Sequence, residues 1–98
     1  MLKSEAIAAL RAQADSVRAL GATGLYLFGS TVRGAARQAS DLDVFIDYDR
    51  SGSFSLIELV GIKQLLEERL GVDMDIATRD SLDPLLRPRI EASAERVF

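Results

Sequence analysis

The sequence predicts a small α+β domain in which a mixed β-sheet carries helices packed on one face. Residues 42–48 and 72–77 alternate apolar and polar side chains with the period of a β-strand. Residues 4–20 and 54–70 instead repeat apolar side chains with helical spacing. The 98 residues are enough for one hydrophobic core, so we expect a single domain over residues 1–98.

The first half of the chain predicts a helix, a strand and a turn. The helix is expected over residues 4–20, with Ser4 capping its start and Gly21 ending it. A short buried strand follows at residues 25–28 and stops at Gly29. About one helical turn is then expected over residues 31–36, and residues 37–40 are expected to form a loop.

The second half predicts the longest helix between two strands, and then a last helix. The long helix spans residues 54–70 and ends at Gly71. Pro84 stands near the start of the last helix, which the Arg87-Pro88 step is expected to kink or split. Residues 96–98 predict a closing strand.

Two of the predicted strands each have one acidic face. Asp41 and Asp43 are one residue apart and therefore point to the same side of a strand. Asp73 and Asp75 repeat this arrangement on the next strand. Neighbouring carboxylates repel each other, and a divalent cation turns that repulsion into coordination. The pattern predicts Asp41, Asp43 and one of Asp73 or Asp75 on a common surface as ligands of Mg²⁺, with two ions expected.

The composition excludes several kinds of site. The chain has no Cys and no His, which excludes disulfides, zinc thiolate sites and Ser-His-Asp triads and leaves oxygen atoms as metal ligands. The net charge of −3 argues against direct nucleic-acid binding through a basic patch. No signal peptide and no apolar run of membrane-spanning length is evident, so we expect a cytoplasmic protein.

The Gly29-Ser30 turn complements the predicted metal site. If Ser30 opens a short helix, its hydroxyl and the free backbone N–H groups face an anion. Arg33, one helical turn later, is a candidate for a charge-assisted contact with phosphate. A triphosphate spanning the turn and the metals predicts nucleotidyl transfer, in which a hydroxyl attacks the α-phosphorus of a nucleoside triphosphate. In a chain without His, a carboxylate on the third strand is the expected acceptor of the hydroxyl proton.

These residues also resemble a known family. Gly29-Ser30, ten residues, then Asp41-Leu42-Asp43 is similar to the signature of the DNA polymerase beta nucleotidyltransferase superfamily. Residues 27–34, 40–48 and 75–91 are similar to the minimal nucleotidyltransferases, single-domain proteins of which many are the antitoxins of HEPN/MNT toxin–antitoxin pairs. The resemblance covers residues 24–98.

The resemblance implies a role for each motif residue. Asp41 and Asp43 would be metal ligands and catalytic residues, and Asp75, which begins an Asp-aliphatic-x-Thr run, would be the third. Gly29, Ser30 and Arg33 would bind the triphosphate of ATP. It further implies a protein adenylyltransferase that moves AMP from ATP to a tyrosine of a HEPN-type ribonuclease toxin, with which it forms a hetero-oligomer.

Two other functions remain open from the sequence. The chain could neutralise its partner by steric binding without catalysis. It could also be the catalytic subunit of an assembly that modifies a small molecule such as an aminoglycoside.

Overall fold

The computed structural model describes residues 2–29 and 42–98 and confirms the α+β class. Helices, strands and a 3₁₀ turn follow one another in the described ranges as α1 (Lys3–Arg11), α2 (Ala14–Ala19), β1 (Ala22–Phe28), β2 (Leu42–Tyr48), α3 (Leu56–Leu70), β3 (Met74–Thr78), the 3₁₀ turn (Arg79–Ser81), α4 (Arg87–Ser93) and β4 (Glu95–Arg96). The predicted helical turn and loop of residues 31–40 lie outside these ranges.

The strands of the described residues form one mixed sheet in the order β3-β2-β1-β4. β1 pairs antiparallel with β2 and with β4, whereas β2 pairs parallel with β3. The parallel pair is connected through α3, because parallel neighbours need a crossover rather than a tight hairpin. β2 is therefore a central strand, held by backbone hydrogen bonds on both sides.

One face of the sheet is covered by α1, α2 and α3. Apolar side chains alternate along the strands, so every second one reaches this face and meets the apolar sides of the helices. The fully buried members of this core include Leu10, Val17, Leu25, Leu27, Val44, Ile46, Ile62 and Leu66. The core thus anchors β1 and β2 and leaves their opposite face for other side chains.

The predicted helix over residues 4–20 is two helices. The i→i−4 hydrogen bonds give way at Gln13, whose N–H is donated to the oxygen of Leu10 and whose ψ is 8°. The change of direction lets Leu10 from α1 and Val17 from α2 both reach the core. The apolar spacing continues across the break, so it does not reveal the break. The predicted cap at Ser4 is also wrong, because Ser4 lies inside α1, after the N-cap residue Leu2.

The boundaries of α3, β3 and β4 agree with the sequence to within two residues, whereas β1 begins three residues before the predicted strand. The last helix begins at Arg87 rather than near Pro84, so the predicted kink or split at the Arg87-Pro88 step is wrong. Ser55 accepts a hydrogen bond from the N–H of Ile57 and caps α3, and Gly71 ends it in the left-handed conformation with φ 70°. Pro88 lies in the first turn of α4, where its missing N–H costs no hydrogen bond. No helix in residues 2–29 and 42–98 has the length and apolar character needed to cross a membrane.

The second face of the sheet carries aromatic rings. Phe45 of β2 is fully buried, and its ring stacks on Tyr26 at 4.8 Å between centroids and lies 5.7 Å from the ring of Phe28. α4 approaches this same face near Phe28. The acidic residues of β2 and β3 share the face with these rings, because Asp43 pairs with Phe28 of β1 and with Asp75 of β3.

Candidate active site

The turn after β1 lies directly against the carboxylate of Asp43. Phe28, the last residue of β1, is the register partner of Asp43, and Gly29 follows with φ +80°. A Cβ atom built on Gly29 would overlap the Asp43 carboxylate. Glycine is therefore required here for two reasons, the backbone angle and the absence of a side chain. The predicted phosphate-binding turn and one predicted metal ligand are in contact.

Asp75 lies beside Asp43 on the same face of the sheet. The two residues are direct partners in the parallel pairing of β2 with β3. Adjacent strands are about 4.8 Å apart, and paired residues point to the same side. Asp43 is half-buried and Asp75 is exposed, so solvent and ligands reach the pair from the Asp75 side. Two carboxylates from neighbouring strands are the kind of oxygen donors that Mg²⁺ takes.

Three of the predicted site residues have no described position in the structure. Ser30, Arg33 and Asp41 lie outside the described residues. Within residues 2–29 and 42–98, no group of three acidic side chains is close enough to hold a metal ion. The roles of Asp41, Asp43 and Asp75 as metal ligands, and of Gly29, Ser30 and Arg33 in nucleotide binding, stay predictions. Asp73 precedes β3 and is exposed, and its backbone oxygen accepts the N–H of Leu42.

An arginine that the sequence did not predict as a site residue joins the sheet to α4. The Nε and a terminal nitrogen of Arg79 donate to the two carboxylate oxygens of Asp47 at 2.8 and 3.0 Å, and its other nitrogen donates to Glu91 at 2.6 Å. The same guanidinium lies over the rings of Tyr26 and Phe45, 4.8 and 4.9 Å from their centroids. Through Glu91, Arg79 therefore holds α4 against the sheet face that carries Asp43.

The electrostatics of this link follow from its hydrogen bonds. The bonds to Asp47 and then to Glu91 raise the pKa of Arg79, so it stays charged. In turn, the bond from Arg79 lowers the pKa of Glu91. In the sequence, only Asp47 could have indicated that a cation such as Arg79 lies here. Asp47 shares the acidic side of β2, and a partly buried carboxylate needs a charged partner.

A second polar cluster lies at the opposite end of β2. The hydroxyls of Thr78 and Tyr48 each donate to Asp80 at 2.6 Å and lower the pKa of that carboxyl group, and the bond to Asp80 raises the pKa of Tyr48. Tyr48 is five positions after Asp43 along β2, about 17 Å away at the usual rise per residue. This cluster is therefore separate from the Asp43 site.

The family of the chain follows from comparison with known proteins. A family model of the nucleotidyltransferase domain matches residues 10–97. The chain belongs to this family. The matched residues include β1, β2 and β3, and with them Gly29, Asp43 and Asp75 of the candidate site. The chain is a nucleotidyltransferase domain of minimal size.

Individual relatives resemble this nucleotidyltransferase domain over different lengths. A candidate protein adenylyltransferase of Methanocaldococcus jannaschii is 39% identical over 64 residues, which is 65% of this chain and 67% of the relative. A solved structure of a candidate minimal nucleotidyltransferase has a TM-score of 0.75 and 32% identity, and the match covers 97% of this chain and 95% of that one. The sequence match to the archaeal relative thus spans about two thirds of each protein.

A more distant structure shows the same fold. It is a tri-AMPylated HEPN toxin of Shewanella oneidensis in complex with an MNT antitoxin, and it has a TM-score of 0.63 and 18% identity over 90% of this chain and 68% of that one. At this level of identity the likeness shows the fold alone.

Proposed function

We propose that this chain is a Mg²⁺-dependent protein adenylyltransferase that transfers AMP from ATP to a tyrosine hydroxyl of a HEPN-type toxin and so acts as its antitoxin. The observation that carries the proposal is the contact of the Gly29 turn with Asp43 where Asp43 pairs with Asp75. This arrangement puts a turn suited to phosphate next to two carboxylates suited to a cation. The proximity of the Gly29 turn to this carboxylate pair supports nucleotidyl transfer, which needs both phosphate binding and a cation.

In the proposed reaction, the motif residues divide into phosphate-binding residues and carboxylates, and Asp75 has two tasks. The turn of Gly29 and Ser30 binds the triphosphate with backbone N–H groups, and Arg33 adds a charge-assisted hydrogen bond. Asp41, Asp43 and Asp75 would hold Mg²⁺, which neutralises phosphate charge and polarises the α-phosphoryl group when bound. The acceptor oxygen forms a bond to the α-phosphorus, and the bond from that phosphorus to the bridging oxygen of pyrophosphate breaks. Asp75, the most exposed of the described carboxylates at the site, takes the proton of the acceptor hydroxyl.

A partner protein as acceptor is supported by the exposure of Asp75 and by the relatives. The described residues form one sheet with helices, and Asp75 is exposed at the edge strand β3 of that sheet. An acceptor from another chain would complete the site, which makes the active assembly a hetero-oligomer. The archaeal relative is a candidate protein adenylyltransferase, and the Shewanella complex contains an AMPylated HEPN toxin. ATP and Mg²⁺ are both abundant in the cytoplasm, the compartment that we propose.

The test is the mass of the partner after co-expression. The chain is expressed with the protein encoded by the adjacent reading frame, and intact mass spectrometry of that partner counts added AMP groups. We expect AMP addition with the wild-type chain and its loss with Asp43→Asn and with Asp75→Asn. Asp73→Asn is the matched control, because Asp73 is an exposed acid two residues from Asp75 that precedes the strand.

Each outcome decides between the possible functions. Undiminished AMP addition by Asp43→Asn would refute the mechanism. Loss with Asp73→Asn but not with Asp75→Asn would transfer the third carboxylate role to Asp73. If the Asp43→Asn variant still protects cells from the toxin at matched expression, neutralisation is steric and the catalytic antitoxin proposal fails.

A further inference from the structure

A cavity of about 470 Å³ lies next to the candidate active site, between the end of β1 and helix α4. Among the described residues its walls are Phe28, Gly29, Leu86, Arg89, Ile90 and Ser93. Gly29 belongs both to this cavity and to the turn that touches Asp43. A molecule whose phosphates rest on the Gly29 turn therefore has space for its remainder directly beside that turn.

The apolar walls of the cavity suit a flat ring. Phe28 is half-buried and its ring is supported from behind by Phe45 at 5.7 Å. Leu86 and Ile90 face it from the α4 side, and Leu86 is 49% exposed although it is a large apolar residue. Ligand pockets of this volume are commonly lined by aromatic and aliphatic groups with a few polar ones for orientation. An aromatic base inserted here would cover apolar surface that is otherwise exposed to water.

The polar groups of the cavity are Arg89 and Ser93. Within the described ranges, no carboxylate lies within ion-pair distance of Arg89, whereas Arg79 and Arg87 both pair with Glu91. The Ser93 hydroxyl donates to the backbone oxygens of Arg89 and Ile90 at 3.1 and 3.4 Å, so its oxygen still has lone pairs to accept a hydrogen bond. The guanidinium can donate to ring nitrogens or ribose oxygens and can also stack on a base.

The wall that α4 provides is held in place before any ligand binds. Arg79 ties Glu91 of α4 to Asp47 of β2 by three charged hydrogen bonds of 2.6 to 3.0 Å. Glu91 follows Ile90 directly in the sequence, so the link acts next to the cavity wall. A preformed pocket loses less conformational entropy on binding than one that must assemble.

We propose that this cavity binds the nucleoside half of the nucleotide substrate, with the base between Phe28 and the α4 side chains and with Arg89 at its polar edge. The inference rests on the proposed function and assigns a subsite to it. The position of the cavity favours the nucleoside over an acceptor side chain, because the acceptor is assigned to Asp75 on β3, whereas the cavity lies at the end of β1, on the other side of β2. α4 is then a determinant of nucleotide binding as well as a structural element.

The experiment fills the cavity and compares two ligands that differ only by the nucleoside. Ser93→Phe places a ring in the space, and Ala92→Phe is the matched control, since Ala92 is an exposed neighbour on α4 that is not among the described cavity walls. Binding of AMP-PNP and of inorganic tripolyphosphate, each with Mg²⁺, is measured by calorimetry on the chain alone. We expect Ser93→Phe to lower the affinity for AMP-PNP about tenfold or more, as for loss of a stacked base. The affinity for tripolyphosphate should stay within about twofold of the wild-type value. Ala92→Phe leaves both affinities unchanged.

A second variant keeps the inference testable if Ser93→Phe does not fold. Arg89→Ala removes an exposed side chain without filling the space. We expect it to lower the affinity for AMP-PNP about fivefold or more and to change the affinity for tripolyphosphate little. Unchanged AMP-PNP affinity in both variants overturns the inference. If that affinity is unchanged while AMP transfer to the partner is lost, the cavity holds the acceptor instead, which also overturns it.

Failure of the inference differs from failure of the proposed function. The binding measurements need no partner and no turnover. A wild-type chain that binds AMP-PNP through this cavity but adds no AMP to any partner would refute the proposed function and leave the nucleoside subsite intact.

Discussion

Replacement of Gly29 by alanine tests the geometry of the site most sharply. The residue has φ +80°, and a Cβ atom on it would overlap the Asp43 carboxylate. The left-handed backbone angle costs a non-glycine residue about 1–2 kcal/mol. The overlap cannot be relieved unless the turn or the Asp43 side chain moves, and either movement separates the phosphate-binding turn from the carboxylate.

Gly71→Ala provides a control with the same backbone cost. Gly71 has φ +70° and nothing within 4 Å of a built Cβ atom, and it lies at the end of α3. Both variants should lose about 1–2 kcal/mol of the free energy of unfolding from the backbone angle. For a domain of this size, each kcal/mol lowers the melting temperature by about 4–8 °C. Stability alone will therefore not distinguish the two variants strongly.

Activity is expected to separate the two variants. A shift of about 1 Å in catalytic geometry can cost about a hundredfold in rate. We expect Gly29→Ala to lower the rate of AMP transfer by that order and Gly71→Ala to keep the wild-type rate at a temperature where both are folded. Rates are measured by mass spectrometry of the partner over time, with circular dichroism to confirm folding. Equal rates for the two variants would refute the claimed contact between the Gly29 turn and the catalytic carboxylate.

Three further predictions concern the Arg79 link and the metal. Arg79→Met should lower the free energy of unfolding in urea by about 1–3 kcal/mol, because it leaves a partly buried carboxylate without its charged hydrogen bonds. Arg50→Met is the control and should change the free energy of unfolding by less than about 1 kcal/mol, because the Arg50 side chain is 75% exposed in its ion pair with Asp80. Arg79 lowers the pKa of Glu91 in the folded chain, so their hydrogen bond stabilises the fold fully above the ordinary Glu pKa of about 4.3. This stabilisation is lost as the pH falls through the lower pKa of the folded state. The melting temperature should therefore fall with acid less steeply in Arg79→Met than in wild type. Millimolar Mg²⁺ with AMP-PNP should raise the melting temperature of the wild type, because the ligands bind only the folded state, and should not raise that of Asp43→Asn; flat curves for the wild type would contradict the metal site.

The strand periodicity was the part of the sequence that predicted the site. Alternation in residues 42–48 and 72–77 separates apolar from acidic side chains, so any sheet that buries the apolar sides leaves Asp43 and Asp75 on a common face. That the two are direct partners depends on the register of a parallel pair connected through α3. Register in such a pair is set by packing of the whole crossover rather than by local pattern.

The parts that the sequence did not predict depend on contacts between distant residues. The break at Gln13 leaves the apolar spacing intact, and only the packing of α2 on β1 shows it. Arg79 follows β3 directly and reads as an ordinary turn residue. Its role emerges from Asp47, Glu91 and two rings, which come from three other parts of the chain.

The most direct test of the central claim is a crystal structure of the chain with AMP-PNP and Mn²⁺, located by its anomalous signal in place of Mg²⁺. We expect an ion about 2 Å from carboxylate oxygens of Asp43 and Asp75, with the phosphates of AMP-PNP on the Gly29 turn. An ion bound at the distant Asp80 cluster, or a nucleotide on the helical face of the sheet, would contradict it.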